Sequence, residues 1–363
     1  MKIIDSIIAP PAFNYTFPQD KEEILFFDIE TTGLSPKASS LYMTGAMFFD
    51  GRCCSWKLRQ FFADNYKSEA EIIKSFLEIL GRYKYLYHFN GKTFDIPYIL
   101  NKCEKHGIKP DSHCMSILND TDGIYSIDIL ALIRPLKKLL AIQKASQAAL
   151  ERWLGIMRKD QYDGGQLVPV YSRYMQYKTI ANGKAPELER LLLLHNHDDI
   201  KHMLDVCSIL SYRDLFSGVN DIAITDITPG NRNGKCINIY FSHNVPVPKK
   251  AIITKPFPAS REKTVSAGEL YIELEKNSAI LSVPLFYGNL KCFYPDYKNY
   301  YYKEGMFIPS ATLCQTGNYN MQFYITYRDK ICFYALPDET VNITNPFWCS
   351  YVKLQLSSLV QTT

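Results

Sequence analysis

Ile24-Leu25-Phe26-Phe27-Asp28-Ile29-Glu30-Thr31-Thr32-Gly33-Leu34 is the stretch from which the fold can be read. Ile24–Ile29 predicts a buried strand. Alternation along a strand puts Ile24, Phe26, Asp28 and Glu30 on one face, so an apolar face ends in two carboxylates pointing the same way. Like charges about 6–7 Å apart repel unless something compensates them. A divalent cation is a natural compensation, because hard cations prefer oxygen ligands. A polar strand end entering the turn Thr31-Thr32-Gly33 is the other reading of the same residues.

Working outward, Leu41–Phe49 and Ser55–Phe62 read as two further strands, joined through the hairpin signal Asp50-Gly51. Glu69–Tyr83 reads as a helix on the spacing of Ala70, Ile73, Phe76, Leu77 and Leu80. Lys84–Phe89 follows as a strand, Ile96–His106 as a helix stopped by Gly107, and Tyr125–Leu130 as a strand. Helical pattern returns at Ser146–Leu154 and Val168–Tyr177, and the longest helix is expected over Pro186–Tyr212. Strands first and then alternation argue for an α/β layer on a mixed sheet containing an antiparallel hairpin. After residue 217 the helical period fades. Short alternating runs such as Cys236–Phe241, Glu269–Leu274 and Met321–Tyr327 predict a β-rich region. The expected organisation is therefore residues 1–217 as one domain and 218–363 as a smaller accessory one.

Two more pieces carry chemistry. His88-Phe89-Asn90-Gly91-Lys92-Thr93-Phe94-Asp95-Ile96-Pro97 predicts a strand, a turn and a helix start. Asp95 suits a helix N-cap, with Pro97 in the first turn, and an N-cap can also contact a metal. Phe94 suits either the core or stacking on a base. In the long helix, Leu188, Leu192, His195, Asp199, Met203, Val206 and Leu210 form one amphipathic stripe. His195 and Asp199 interrupt that apolar face, which costs desolvation unless they pair with each other or bind a metal. Asp198 and His197 fall on rows expected to face solvent.

Taken in order, these motifs resemble the DEDD exonucleases of the ribonuclease-H-like superfamily. They are Phe26-Phe27-Asp28-Ile29-Glu30-Thr31-Thr32-Gly33-Leu34, Asn90-x-x-x-Phe94-Asp95 and His195-x-x-x-Asp199. The chain is most similar to the YprB-like branch of predicted exonucleases, through Leu150-Glu151-Arg152-Trp153-Leu154-Gly155-Ile156, Asp163-Gly164-Gly165 and Val168-Pro169-x-Tyr171. The resemblance spans about residues 20–215. It implies a ribonuclease-H-like mixed sheet flanked by helices and two divalent ions, Mg²⁺ or Mn²⁺. Asp28, Glu30, Asp95 and Asp199 would be the ligands. Thr31 and Thr32 would lie near the terminal nucleotide, with Asn90 behind the ligands, and Phe94 is a further candidate for contact with a base. His195 would take the seat of the residue that orients or deprotonates water, at the four-residue spacing of the tyrosine-type branch. The implied activity is 3′→5′ hydrolysis of phosphodiester bonds in DNA or RNA, on single-stranded 3′ ends. A non-catalytic nucleic-acid-binding module and a metal-stabilised scaffold are the rival functions on the same fold.

Composition narrows the field. The chain has 363 residues, 47% hydrophobic and 21% charged, which excludes a disordered tail or a fibre. A net charge of +4 permits nucleic-acid binding without demanding it. No apolar run reaches the ~18 residues a membrane span needs. Met1–Phe13 is broken by Asp5 and Pro10-Pro11, unlike a secretory signal. The expectation is a cytoplasmic protein whose ten cysteines are reduced and mostly buried. Tyr300-Tyr301-Tyr302 with Lys298 and Lys303 fits an aromatic-rich β region better than a stacking surface.

Overall fold

Ile24–Thr31, the strand that carries the Asp-x-Glu pair, is the second of six in a mixed sheet. The computed structural model describes residues 1–160, 162, 164–180, 183–217, 220–232, 235–256, 269–284, 300–303, 306–309, 322–325, 332–335 and 346–360. The strands are β1 (Lys2–Ile7), β2 (Ile24–Thr31), β3 (Leu41–Asp50), β4 (Ser55–Phe62), β5 (Tyr85–His88) and β6 (Ser126–Asp128), in the order β1-β4-β3-β2-β5-β6. β2, β5 and β6 run parallel, while β1, β4, β3 and β2 pair antiparallel. β2 therefore stands where the two halves meet, and its carboxyl end opens between them.

The two faces of β2 are used differently. Leu25, Phe27 and Ile29 enter the core beneath α1 (Glu69–Leu80) and α2 (Asp95–His106), with Phe27 stacked on Phe76 at 5.1 Å between ring centroids. Phe26 lies on the other face against Trp56 and Tyr87, at 5.5 and 5.1 Å. Each such ring contributes both buried area and an aromatic contact of about 0.5–1.5 kcal/mol. The helices that follow are α3 (Ser112–Leu118), α4 (Ile129–Ile133), α5 (Leu136–Leu139), α6 (Gln147–Leu154), α7 (Gly164–Thr179), α8 (Ala185–Cys207) and α9 (Leu210–Phe216). α8 crosses β2, β3 and β4, and α6 and α7 pack against it. Gly45 on β3 permits that crossing. A Cβ there would lie 2.1 Å from Ile200 Cδ1 and 2.3 Å from Asn196 Oδ1.

The hairpin between β3 and β4 forms as expected, with Asp50 opposite Ser55. α2 stops at Gly107, whose left-handed φ of 62° suits glycine. Several expectations are corrected. The long helix expected to reach Tyr212 ends at Cys207, because Ser208 and Ile209 donate to carbonyls three residues back and the Ser208 hydroxyl bonds Asp205 O. The strand expected to reach Leu130 ends at Asp128, whose carboxylate accepts Leu130 N and Ala131 N and starts α4. The edge strand β1 lacks a buried face and was not read from sequence.

Contacts divide the chain into two compact units, Met1–Arg134 with Ile142–Leu210, and Pro135–Ala141 with Ser211–Thr363. The second unit holds an antiparallel sheet of β7 (Ile222–Asn231), β8 (Lys235–His243), β9 (Ala251–Pro256), β10 (Glu269–Leu274) and β11 (Ser278–Pro284), in the order β7-β8-β11-β10-β9. Two hairpins follow: β12 (Tyr300–Lys303) with β13 (Met306–Pro309), and β14 (Gln322–Ile325) with β15 (Cys332–Ala335). Tyr300–Tyr302 thus lie within a strand. Helix α10 (Pro346–Val360), unexpected from sequence, buries Trp348, Tyr351, Val352, Leu356 and Leu359. Among the described cysteines, Cys103, Cys114, Cys207 and Cys236 are buried, whereas Cys53 and Cys54 are exposed at the β3–β4 hairpin tip. Among the described residues, no helix is long and apolar enough to cross a membrane.

Candidate active site

The carboxyl end of β2 opens into a cleft of about 830 Å³ lined by Asp28, Glu30, Asp95, His195 and Asp199. Each comes from a different local cause. Asp28 and Glu30 share the β2 face that meets α8. The Asp28 carboxylate accepts from Asn196 Nδ2 at 3.0 Å, and Asn196, fully buried, accepts in turn from Gln60 Nε2 at 3.0 Å. Asp95 is the first residue of α2, and Phe94 holds the N-cap position expected of Asp95. Instead of capping its own helix, the Asp95 carboxylate reaches β2 and accepts from Ile29 N at 3.3 Å.

On α8, His195 and Asp199 face the cleft one turn apart. His195 Nε2 lies 3.3 Å from Asp199 Oδ2 and 3.7 Å from Glu30 Oε1, and one donor atom from each of the three falls within 4.8 Å of the others. The ring is held from behind, since Nδ1 donates to Asp160 Oδ2 at 2.5 Å and Asp160 is buried. That bond turns Nε2 toward the carboxylates. Arg158 reaches Asp199 Oδ1 with Nη1 at 2.5 Å, while its Nε and Nη2 engage both oxygens of the buried Glu151.

The electrostatics follow from crowding. Burial raises Asp28, and the neighbouring Asp95, Glu30 and Asp199 add to it. Burial pushes Glu30 up to about 8, against the pull of His195 and with help from Asp199, Asp95 and Asp160. Asp95 rises to about 7 for the same first reason, and Asp199 is raised by burial in spite of His195 and Arg158. His195 is also raised: burial opposes its charge, but Glu30, Asp199 and Asp160 outweigh that. Glu30 Oε1 is buried without a hydrogen-bond partner. An orphaned carboxylate oxygen beside other carboxylates costs free energy that a bound cation would recover. Oxygen donors with one imidazole suit a divalent ion, so these residues fit the metal that the motifs imply.

The remaining sequence candidates separate. Thr31, Asn90 and Phe94 line the cleft. Thr31 donates to Gly33 O at 2.9 Å. Asn90 has φ of 63° and donates its N–H to Asp128 Oδ1 at 3.0 Å. Thr32 instead accepts from Ser40 N at 2.8 Å and does not line the cleft. Asp198, expected to face solvent, is buried. Its carboxylate accepts from Lys159 N and Asp160 N, at 3.1 and 3.0 Å, and so ties the Asp160 loop to α8. Burial pulls Asp198 upward, but His197 and the Asp160 N–H hold it down at about 2. His197 is partly exposed.

Asp160, Arg158, Glu151 and Asn196 were missed as site residues. Glu151 and Asn196 left a signal, standing inside the motifs Leu150–Ile156 and His195-Asn196-x-x-Asp199, but neither was given a role. Arg158 and Asp160 lie in a loop without periodicity, where sequence spacing carries no information about their partners.

The sequence profile of the RNase_H superfamily matches residues 25–211, just over half of the chain. The chain belongs to the RNase_H superfamily. Among curated proteins it is similar to DNA polymerase 1 of Sulfurisphaera ohwakuensis, 39% identical over 62 residues that cover 17% of this chain and 7% of that protein. The DNA polymerase of Ostreid herpesvirus 1 is 37% identical over 49 residues, 13% of this chain and 3% of that one. The matched stretches thus span under a tenth of these relatives' length. Among solved structures, the family B DNA polymerase of Pyrobaculum calidifontis aligns with a TM-score of 0.42 at 16% identity, over 56% of this chain and 26% of that one. Exonuclease I of E. coli, in its zinc-bound complex with single-stranded DNA, aligns with a TM-score of 0.30 at 14% identity, over 60% and 54%.

Proposed function

We propose that this RNase_H superfamily member is a divalent-metal-dependent 3′→5′ exonuclease of the DEDD type and YprB-like branch, acting on DNA or RNA. The observation that carries the reading is the meeting of Asp28, Glu30, Asp95, His195 and Asp199, from the three elements β2, α2 and α8, in one cleft. Asp28, Glu30, Asp95 and Asp199 are the residues that would hold two divalent ions, Mg²⁺ or Mn²⁺. Bound there, metal supplies an ionised water at neutral pH and relief of charge on the leaving oxygen.

This chain's own groups do the rest. Asp160 fixes the His195 ring, so that Nε2 is placed to accept and orient the proton of an attacking water. Asn196 and Ile29 N hold Asp28 and Asp95 in place. Leu34, 85% exposed on the cleft wall, and Phe94 offer apolar surface to a terminal base. The accessory region, taken as residues 218–363, is outside the chemistry.

The test is a panel of labelled DNA and RNA oligonucleotides, each end blocked in turn, assayed with Mg²⁺ and Mn²⁺. Mononucleotide release blocked only by 3′ modification is expected, and Asp28→Asn should abolish it. A chain ending at Ser217 should keep the cleavage activity. Tight binding without turnover on every substrate would replace this reading with a non-catalytic binding module.

A further inference from the structure

We propose that Arg158 is a substrate-binding residue whose guanidinium engages the non-bridging oxygens of the phosphodiester lying against the carboxylate cluster, and that Glu151 is built to hold it there. The inference rests on the nuclease reading. Arg158 lines the cleft beside Asp199, and its side chain is 14% exposed. Behind it, Glu151 is 1% exposed and commits both oxygens to Arg158 Nε and Nη2. A buried carboxylate is costly unless paired, and here both of its oxygens go to fixing one edge of one guanidinium. The fork leaves Nη1 as the leading group at the cleft, 2.5 Å from Asp199 Oδ1.

A planar guanidinium held by one edge presents the rest of its N–H groups in a fixed direction, which suits the paired oxygens of a phosphate. The charge of the site asks for such a group. Asp28, Glu30, Asp95 and Asp199 share the cleft and repel an entering phosphodiester, and Arg158 is a cation fixed among them. Its charge does not depend on pH in the working range. Asp198 draws the backbone of Lys159 and Asp160 onto α8, so the loop carrying Arg158 is anchored at the next residues.

The experiment compares the full-length protein with Arg158→Gln, Arg158→Lys and Glu151→Gln. Binding of a labelled oligonucleotide is measured by anisotropy in Ca²⁺, with the terminal linkage either phosphate or methylphosphonate. Turnover is measured in Mn²⁺, and Mn²⁺ affinity by electron paramagnetic resonance. Wild type is expected to favour the phosphate linkage. Arg158→Gln should shrink that preference about tenfold to a hundredfold, the range of one charge-assisted hydrogen bond, with Mn²⁺ affinity within about threefold. Arg158→Lys should recover part of the preference, since charge returns without the fork. Glu151→Gln should fall between wild type and Arg158→Gln. An unchanged preference in both Arg158→Gln and Arg158→Lys overturns the proposal, as does a loss confined to Mn²⁺ affinity, which would make Arg158 only a brace for Asp199. If wild type binds with this preference but cleaves nothing, the nuclease reading fails while the role of Arg158 stands.

Discussion

His195 answers to two sets of partners. Asp160 holds Nδ1, and Glu30 and Asp199 crowd Nε2. Replacing it with alanine removes the proton acceptor that Asp160 holds at the cleft. Turnover of His195→Ala is expected to fall about 10²–10⁴-fold, while the thermal shift on adding Mn²⁺ stays close to that of wild type. His197→Ala, at a partly exposed site outside the cleft, should change neither. Single-turnover rates and melting curves decide this, and a wild-type rate for His195→Ala would remove it from the mechanism. His195 and Asp199 were legible in the sequence because they break an apolar stripe, and such a break needs a reason. Asp198 misled, because its row carries Lys201, His202 and Asp205. A polar row can be buried when backbone N–H groups and other side chains satisfy it, as Lys159 N and Asp160 N do here.

Between elements, the crossing of α8 over β3 is the fragile contact. Ile200 and Asn196 close on Gly45 until no Cβ fits. Gly45→Val would push the helix outward or distort the strand, at a typical overpacking cost of about 1–3 kcal/mol. The same shift would draw Asn196 from Asp28 and spoil the cleft. A lower denaturation midpoint and a weaker Mn²⁺ shift are expected together. An unchanged midpoint would mean that the helix is not seated as described. From sequence, Gly45 was one residue in an apolar strand and gave no sign of this role. Strands with a buried face and helices with a clear period were legible. β1, whose residues are mostly exposed or partly so, was not. α10 was also missed, and its burial comes from packing that no local pattern announces.

For the whole molecule, the carboxylate cluster ties stability to pH and to metal. Glu30 and Asp95 take up protons in the folded state near pH 8 and 7, against ordinary values near 4.5 and 3.8. Between those limits the folded protein binds more protons than the unfolded chain, so the cluster's contribution to stability falls as pH rises. His195, also raised, acts in the same direction: its stabilisation is present at low pH and is lost as pH climbs through its folded value. In EDTA the melting temperature should therefore decline from about pH 5 to pH 8, through the window these groups set. Saturating Mn²⁺ should cancel the decline, since the metal takes the place of the protons, and its stabilising effect should grow with pH. A melting temperature in EDTA that climbs steadily over that window would contradict the burial of the cluster.

What the amino-acid sequence determined by itself was local and periodic. The alternation that sends Asp28 and Glu30 to one face of β2, the stripe that turns His195 and Asp199 inward, and the glycine that stops α2 are all short-range consequences of backbone geometry. They sufficed for the α/β class and for Asp28, Glu30 and Asp199 among the carboxylates lining the cleft, whereas Asp95 was reached through the resemblance of its motif. The tertiary structure alone decided which groups hold those residues in place. Asp160 behind His195, Glu151 and Arg158 beside Asp199, and Asn196 on Asp28 are pairings across elements distant in the chain. Such pairings depend on how helices seat on the sheet, and at Gly45 the seating turned on the absence of one Cβ.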